Sequence, residues 1–165
     1  MESKRLAESF LQKKRFSKIL PLISGNSILD FGGNRGELKK HLRNSQDYTL
    51  CNRDYSVLKG KTFDTILSLA VIEHLEIADV FKVIKMLKQH LNPNGIIILT
   101  TPSKLAKPVL EVMSISGLLD KENLKEHKHY WNKRELFELA KKSELNVRKY
   151  LKFQFGLNQL IVLKK

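Results

Sequence analysis

The sequence of 165 residues predicts an α/β fold: a doubly wound, mostly parallel sheet with helices on both faces and a C-terminal antiparallel hairpin. The first observation behind this prediction is that short, strand-like apolar runs alternate with amphipathic helical segments along most of the chain. The second is the short connection Gly156-Leu157-Asn158 between the last two strand-like runs, which can join only antiparallel neighbours. No repeat, low-complexity tract or linker divides the chain, so residues 1–165 are expected to form a single domain.

The helices are predicted from apolar residues that recur at helical spacing. In the segment 79–91, Val80, Ile84 and Leu87 fall on one side of the helix. The turn residues and the proline at 92–95 are expected to end that helix. In chain order, the predicted helices are 3–20, 37–43, 79–91 and 133–143.

The strands are predicted from short runs that are rich in apolar and β-branched residues. The run 96–100 has the continuous apolar character of a strand that is covered on both faces of a sheet, and Pro102 is expected to end it. In chain order, the predicted strands are Ser27–Phe31, 48–52, Phe63–Leu69, 96–100, 146–155 and 159–164.

Composition limits the class of protein. Lysine and arginine exceed aspartate and glutamate by 30 to 17, a charge of +13 that would attract RNA or an anionic membrane surface. The basic residues are dispersed, however, with only short clusters such as Lys13-Lys14-Arg15, so a solvated surface is favoured over a nucleic-acid footprint. The single cysteine, Cys51, excludes an internal disulfide. With no apolar run long enough to span a membrane and no signal-peptide pattern, a cytoplasmic protein is expected.

A glycine-rich stretch, D-F-G-G-N-R-G, follows the first predicted strand and fits neither of the common nucleotide-loop patterns, G-x-G-x-x-G and G-x-x-x-x-G-K-[ST]. Glycines at the carboxyl end of a strand in such a sheet allow the backbone to approach a ligand. Asp30 can bind an ammonium group, and the N–H groups at the start of the following helix favour a carboxylate, so an amino-acid zwitterion suits the site. The alternative is a tight strand–helix turn without a ligand.

This stretch resembles motif I of the class I methyltransferases that use S-adenosylmethionine. The resemblance continues in F-D-T-I-L-S-L-A-V-I-E-H-L (63–75) and in L-K-Q-H-L-N-P-N-G-I-I-I-L-T-T-P (87–102), in the order and at the distances of the family. It implies the family's fold, with residues 1–20 as a helix that covers the cofactor-binding core. S-adenosylmethionine would be the cofactor and S-adenosylhomocysteine the product. The resemblance implies these cofactor-binding residues: Asp30, Gly32, Gly33, Asn34, Gly36, Leu69 and Ala70.

The sequence departs from the family at two points. Asn34 replaces a glycine of motif I, although asparagine tolerates left-handed backbone better than most residues. The segment between Asn52 and Phe63 is too short for the family's third strand and helix, as in a reduced branch of the family. The ribose hydroxyls would be bound by Asn52 or Asp54, with Asp54 slightly preferred as a carboxylate; the alternative for Asp54 is an ordinary turn residue.

The acceptor side is predicted around two segments that contain histidines. His74 and His127 are the candidate catalytic residues, and Glu73, His129, Tyr130 and Trp131 are candidate substrate-binding residues. Structural roles are the alternatives, with Trp131 in the core and the histidines in hydrogen bonds. Asn132 and Glu135 are expected to form a capping box at the start of helix 133–143. Residues 105–119 are either a mobile lid or a core helix.

The expected activity is methyl transfer to a small-molecule, glycan-linked or lipid-linked acceptor, because displacement at a sulfonium needs mainly alignment and exclusion of water. One alternative is a binding module of the same fold without turnover. Another is suggested by V-I-E-H-L and H-K-H-Y-W, which resemble the metal-assisted branch that methylates the terminal 2′-hydroxyl of small RNAs. Glu73, His74 and His127 match three of its ligands, but Ala70 replaces the fourth, so no metal is assigned. The oligomeric state is left open.

Overall fold

A computed structural model describes residues 2–115 and 126–165, with side chains from residue 10 onward. Six strands form one sheet in the order β2-β1-β3-β4-β6-β5. The strands β1 to β4 run parallel, whereas β6 runs antiparallel to both β4 and β5. The predicted fold class is thus confirmed. The strands are β1 Ser27–Phe31, β2 Asp47–Cys51, β3 Phe63–Leu69, β4 Leu91–Pro102, β5 Asn146–Phe153 and β6 Asn158–Lys164.

Helices cover both faces of the sheet. Leu136, Leu139 and Ala140 of one helix pack with Val80 and other residues in the core of one face, and Phe16 of the N-terminal helix packs in the core of the other. No helix within 2–115 and 126–165 is both long enough and apolar enough to cross a membrane. The α-helices are α1 Glu2–Ile19, α2 Ile77–Gln89, α3 Ala106–Ile115 and α4 Lys133–Lys142; the short 3₁₀ helices are Leu20–Leu22, Glu37–His41, Tyr55–Leu58 and Ile72–His74.

The predicted helix 37–43 is wrong in type, because the structure has a five-residue 3₁₀ helix, Glu37–His41, at this place. Leu38 is its one buried residue, so the burial that would stabilise a longer amphipathic helix is missing. Leu42 already has extended backbone and ends the element.

The residues 92–95, predicted as a turn, lie inside β4 instead. Leu91 pairs with Phe63 and Ile96 pairs with Thr65, so four residues of β4 stand opposite Asp64 alone. Asn92 donates a hydrogen bond to Asp64 across this irregularity, with Nδ2 and Oδ1 2.7 Å apart. The turn-forming residues therefore produce a bulge where the chain enters the sheet.

Several other boundaries differ from the sequence prediction; helix α2, for example, spans Ile77–Gln89 where 79–91 was predicted. β5 ends at Phe153, because Gln154 and Phe155 both have left-handed backbone and form the hairpin turn with Gly156. Helix α3 covers 106–115 of the predicted segment 105–119, and residues 116–119 lie outside the described part of the chain. Within α3, Val112 and Ile115 are exposed whereas Ala106 and Ser114 are buried, so the helix is only partly buried.

Candidate active site

The candidate site lies where the order of the strands reverses. The chain runs from β1 outward to β2 and then returns to β3 on the other side of β1, so the carboxyl ends of β1 and β3 form a switch point. Ligands of open α/β sheets bind in the crevice at such a point. Buried polar atoms without a hydrogen-bond partner among the described residues gather at this edge: Asp30 Oδ1, Ser68 Oγ, Glu73 Oε2, His74 Nδ1, Thr100 Oγ1 and Thr101 Oγ1. Buried polar groups are normally paired, so this set marks a candidate ligand site.

Asp30, the last residue but one of β1, is a buried carboxylate that is 2% exposed. Tyr48 donates a hydrogen bond from its hydroxyl to Asp30 Oδ2 over 2.7 Å, while Oδ1 has no donor. Burial raises the pKa of Asp30, and the hydrogen bond from Tyr48 opposes this shift. One oxygen of Asp30 is therefore positioned by the protein and the other can accept a hydrogen bond from a cationic ligand.

The glycine loop after β1 has the conformation that its sequence predicts. Gly32 and Asn34 have positive φ angles of 78° and 49°, the left-handed region that glycine and asparagine tolerate. A β-carbon at Gly33 would lie 2.1 Å from Asp30 Oδ2, so any side chain there would displace the carboxylate. The N–H of Gly32 donates to the carbonyl of Cys51 at 2.8 Å, which ties the loop to the end of β2.

A cavity of about 520 Å³ opens beside this loop at the carboxyl end of β2. Asn52 and Asp54, the two candidates for the ribose hydroxyls, both line the cavity together with Asn34. Asn52 Nδ2 donates to the carbonyl of Asn34 at 2.8 Å, and Asp54 Oδ1 accepts from the N–H of Ser56 at 2.9 Å. Asp54 thus caps the 3₁₀ helix Tyr55–Leu58 and also lines the cavity. Asn52 and Asp54 therefore both stay candidates for binding the ribose hydroxyls.

The end of β3 forms the opposite wall of the crevice. Leu69 ends the strand, and Ala70 follows with φ at +57°, a backbone conformation that is rare for a residue with a β-carbon. The N–H of Ala70 donates to the carbonyl of Thr100 at 2.9 Å and fixes this turn. Strained backbone of this kind concentrates at functional sites.

Three donor side chains converge just beyond Ala70. Nitrogen or oxygen atoms of Glu73, His74 and His127 all lie within 4.8 Å of one another. The carbonyl of Glu73 accepts hydrogen bonds from the N–H groups of Lys128 at 2.7 Å and His129 at 3.3 Å, which hold the segment of His127 against the 3₁₀ helix Ile72–His74. Residues that are far apart in sequence thus form one cluster.

The cluster combines neutral imidazoles with a carboxyl group of raised pKa. Burial raises the pKa of Glu73 to about 7, and the positive charge of Arg15 and the nearby Thr101 oppose the shift. Burial lowers the pKa of His74. Burial and the neighbouring His74 lower the pKa of His127 to about 4. Both imidazoles are therefore neutral at neutral pH and can accept a proton or bind a cation.

Only part of the predicted acceptor site joins this cluster. Tyr130 does so, since its hydroxyl lies 3.2 Å from His127 Nδ1. His129 instead faces Glu135, with Nε2 and Oε2 3.2 Å apart. Trp131 is 2% exposed in the core and donates from its indole to the carbonyl of Ile72 at 3.4 Å. The contacts that the structure shows for His129 and Trp131 are with protein groups, and substrate binding by these two residues stays a prediction.

Sequence reasoning missed Arg15 and Tyr48. Arg15 was assigned to a solvated basic cluster, but its Nε is buried without a hydrogen-bond partner and its charge acts on Glu73. The available signal was helical spacing, because Arg15 lies four residues before Ile19, which is fully buried. Tyr48 had no signal in the sequence, since its bond to Asp30 depends on the register of β1 and β2.

Comparison with known proteins gives a family. A family model described as "Methyltransferase domain" matches residues 3–150. A search of curated proteins finds no match to the sequence.

Solved structures share the fold at low identity. The pyocyanin biosynthetic protein PhzM is 15% identical with a TM-score of 0.72 over 93% of this chain and 55% of its own. The methyltransferase domain of a bacterial CtHen1 is 18% identical with a TM-score of 0.66 over 94% of this chain and 100% of its own. The magnesium protoporphyrin IX methyltransferase ChlM of Synechocystis PCC 6803, solved with bound S-adenosylhomocysteine, is 12% identical with a TM-score of 0.61 over 99% of this chain and 86% of its own.

This chain therefore spans just over half the length of PhzM. The family match covers most of the chain and agrees with the resemblance of its three sequence motifs to the S-adenosylmethionine-dependent class, which confirms that prediction. The chain belongs to the methyltransferase-domain family.

Proposed function

We propose that the protein transfers a methyl group from S-adenosylmethionine to a small-molecule acceptor or to a glycan- or lipid-linked one. The observation that best supports this proposal is that two groups lie near the carboxyl ends of neighbouring strands of the sheet. The unpaired oxygen of Asp30 lies at the end of β1, and the cluster of Glu73, His74 and His127 lies beyond β3. A cofactor bound to the first group would present its reactive end to an acceptor at the second.

The residues of the site fit this cofactor. Asp30 Oδ1 is a buried acceptor without a donor and suits the ammonium of the amino-acid part. A side chain at Gly33 would collide with the Asp30 carboxylate, so glycine at this position allows the carboxylate to keep its place. The cavity at the end of β2 offers Asn52 and Asp54 to the hydroxyl groups of a ribose. When bound, S-adenosylmethionine supplies a methyl group on a sulfonium that is open to displacement by a nucleophile.

The chain itself supplies alignment and a proton acceptor. His74 Nδ1 is buried without a hydrogen bond and lies 4.0 Å from Glu126 Oε2, so it can accept a hydrogen bond from an acceptor hydroxyl. His127 is oriented by the hydroxyl of Tyr130 and makes an edge contact with His74, with ring centroids 4.8 Å apart. Neutral imidazoles in this position remove a proton from an acceptor only as it becomes acidic during methylation.

Two observations favour a small acceptor. The charge of +13 is spread along the chain, without the long basic stripe expected of a dedicated nucleic-acid surface. ChlM, one of the proteins with this fold, is named for a porphyrin acceptor. A cytoplasmic location is part of this proposal and rests on the single cysteine, Cys51.

The test is methyl transfer from labelled S-adenosylmethionine to separate small-molecule, lipid, glycan and RNA fractions of a cell extract. We expect label in one of the first three fractions, and a strong loss in His74→Ala but not in His41→Ala, which changes an exposed histidine elsewhere. Label confined to RNA would contradict the small-molecule proposal. Cofactor binding without label in any fraction would favour the module without turnover.

A metal-assisted RNA 2′-O-methyltransferase is the second candidate, and the convergence of Glu73, His74 and His127 favours it. Two neutral imidazoles and one carboxylate could hold a divalent ion with a position open for a hydroxyl, and the ion would lower the pKa of that hydroxyl. Ala70, in the place of a fourth ligand, offers no donor atom.

Calorimetric titration with Mg²⁺, Mn²⁺ and Zn²⁺ in the presence of S-adenosylhomocysteine tests this candidate. If this candidate is correct, at least one of the ions binds to the wild type, and this binding is lost in Glu73→Ala and also in His127→Ala. It would be rejected if none of the ions bound at about millimolar concentration, or if binding survived both substitutions.

A further inference from the structure

Helix α3 presents apolar side chains on the face that is exposed to solvent. Val112 and Ile115 are 65% and 78% exposed, and Leu105, directly before the helix, is 60% exposed. The buried residues of the helix are instead Ala106 and Ser114. A helix at the surface normally buries its apolar side and exposes its polar one. The reversed pattern of α3 is typical of a surface that contacts an apolar partner.

The turn between β5 and β6 connects the start of α3 with helix α1. Ser103 Oγ donates a hydrogen bond to the carbonyl of Gly156 at 2.7 Å. In the same turn, Gln154 Nε2 donates to the carbonyl of Leu11 at 3.0 Å. Three segments of the chain therefore meet beside the carboxyl end of β4, at the edge of the sheet that holds the candidate site.

Each of these segments exposes an apolar residue beside this junction. Phe10 precedes Leu11 and is exposed, and Phe155 lies between Gln154 and Gly156. Phe155 is fully exposed and has a φ of +57°, a backbone conformation that glycine or asparagine adopts more readily. Neither packing within the described chain nor backbone preference accounts for an aromatic residue at this position. We call the exposed apolar residues around the junction the docking patch: Phe10, Leu105, Val109, Val112, Ile115 and Phe155.

Lysines border the docking patch. Lys14 Nζ lies 5.5 Å from the centre of the Phe10 ring, and the neighbouring Lys13 is also exposed. Lys107 in α3 and Lys152 before the hairpin turn are exposed as well. None of these four lysines has an acidic partner within 4.0 Å among the described side chains. Their charges are therefore available to an anionic partner.

Only one acidic residue belongs to the segments that form the patch. In 10–18, 103–115 and 152–158 this residue is Glu111. Burial and the charge of Glu111 raise the pKa of Tyr130, which places Glu111 near the histidine cluster of the candidate site. The docking patch is thus positively charged overall and borders the acceptor side of the site.

Apolar side chains bordered by lysines match the surface of an anionic membrane. At such a surface the apolar groups enter the headgroup region and the lysines are attracted to the anionic lipids. A second copy of the chain fits the patch less well, since a twofold contact would bring the lysines of the two patches together.

We propose that the docking patch binds the surface of an anionic membrane and turns the candidate site toward its lipids. Membrane binding itself does not depend on methyl transfer. Among the proposed acceptors it favours a lipid-linked one, and this choice of acceptor rests on the proposed function.

Cosedimentation of the full chain with phosphatidylcholine vesicles, with and without about 30% phosphatidylglycerol, tests the role of charge. We expect binding to the anionic vesicles and binding at least about tenfold weaker to the neutral ones. The double variant Lys13→Gln, Lys14→Gln should weaken binding to the anionic vesicles by about tenfold or more, since each lysine near such a surface contributes roughly fivefold. The matched control Lys141→Gln, Lys142→Gln, which changes two exposed lysines of α4, should bind as the wild type does.

Two further variants test the role of the apolar residues. Phe155→Asn and Val112→Ser should each weaken binding to the anionic vesicles by at least about threefold, because less apolar surface enters the headgroup region. Ile77→Ser, at an exposed apolar position of α2, is the matched control and should leave binding unchanged. Asparagine suits the left-handed backbone at 155 and Val112 is exposed, so both variants should fold, and thermal unfolding verifies this.

Equal binding to neutral and anionic vesicles would overturn the proposal, and so would equal weakening by patch and control substitutions. Absence of vesicle binding would overturn it as well. In that case, a dimer or an RNA complex that is lost in Phe155→Asn would assign the patch to a second copy or to RNA.

The vesicles contain neither cofactor nor acceptor, so the two proposals fail separately. Absence of vesicle binding would leave the proposed methyl transfer intact, whereas failure of the wild type to bind S-adenosylhomocysteine would refute the proposed function and leave membrane binding intact. With labelled S-adenosylmethionine, the lipid fraction of a cell extract should take up the label. Label found only in other fractions would overturn the choice of a lipid-linked acceptor.

Discussion

At the scale of single residues, ligand binding and stability make opposite demands on Asp30. Its carboxylate is buried with one oxygen unpaired, and burial raises its pKa. A group with a raised pKa in the folded state contributes stability below its unfolded pKa, near 3.8, and that contribution is lost as the pH rises through the folded value. The charged form that would bind an ammonium at neutral pH is therefore present at a cost to stability.

Asp30→Asn should separate these two demands. We expect binding of S-adenosylhomocysteine to weaken by at least about tenfold, because a charge-assisted hydrogen bond is lost. Stability at neutral pH should stay the same or increase, since the amide keeps a partner in Tyr48 without a buried charge. Calorimetry and thermal unfolding measure the two effects, with the exposed Asp47→Ala as the control. An unchanged dissociation constant would remove Asp30 from the site.

Substitution of Gly33 tests whether close packing of the glycine loop on the Asp30 carboxylate matters for cofactor binding. In Gly33→Ala the new β-carbon would lie 2.1 Å from Asp30 Oδ2, so the carboxylate must move and cofactor affinity should fall about as far as in Asp30→Asn. Gly60→Ala is the matched control, because Gly60 has a φ of +69° but open space around it. That control should lose about 1–2 kcal/mol of stability through backbone strain and retain its affinity. Full affinity in Gly33→Ala would show that the position of Asp30 does not matter.

At the scale of secondary structure, the acceptor side depends on how the segment before α4 is held. Its backbone is bonded to the carbonyl of Glu73, and α4 begins with a capping box. In that box the N–H of Glu135 donates to Asn132 Oδ1 at 2.9 Å, and the N–H of Asn132 donates to Glu135 Oε2 at 2.7 Å. The N-terminus of α4 thus orients the residues that precede the helix.

Removal of this cap should destabilise the fold measurably. Asn132→Ala is expected to lower the free energy of unfolding by about 1 kcal/mol, the usual cost of losing an N-cap side chain. Denaturant unfolding provides the measurement, and Asn94→Ala, at an exposed position in β4, is the control. Equal stability of both variants and the wild type would mean that the capping box contributes nothing.

The sequence predicted β1 and β3 with their observed boundaries because both are apolar runs with clear ends. The left-handed backbone at Asn34 agrees with the expectation that asparagine could replace the family's glycine there, because asparagine tolerates this conformation better than most residues. The sequence prediction failed for Glu37–His41, because Leu38 and Leu42 are spaced as in an α-helix whether or not both are buried. It also failed for Arg15, because the judgement rested on charge composition and not on the helical spacing between Arg15 and the buried Ile19.

At the scale of the whole molecule, the surplus of positive charge and the candidate site are separate features. Lysine and arginine number 30 against 17 acidic residues and are distributed along the entire chain. The site itself is confined to one edge of the sheet and contains mostly buried groups. Long-range attraction to polyanions should therefore respond to salt much more strongly than cofactor binding does.

The dependence on salt concentration should therefore distinguish RNA binding from cofactor binding. Raising the salt concentration from about 50 mM to 200 mM should weaken RNA binding by about a hundredfold or more, if several phosphates are contacted. The affinity for S-adenosylhomocysteine should change by less than about twofold over the same range, since Asp30, its charged partner, is buried. Filter binding and calorimetry provide the two measurements. Saturable RNA binding that persists at high salt would support the RNA methyltransferase candidate instead.

The proposed function requires that the carboxyl ends of β1, β2 and β3 bind the cofactor of methyl transfer. Calorimetric titration of the purified, folded protein with S-adenosylhomocysteine tests it most directly. We expect one ligand per chain, with a measurable heat of binding that is reduced in Asp30→Asn. Absence of binding by the folded wild type at about high-micromolar ligand, the range of a weak cofactor site, would contradict it.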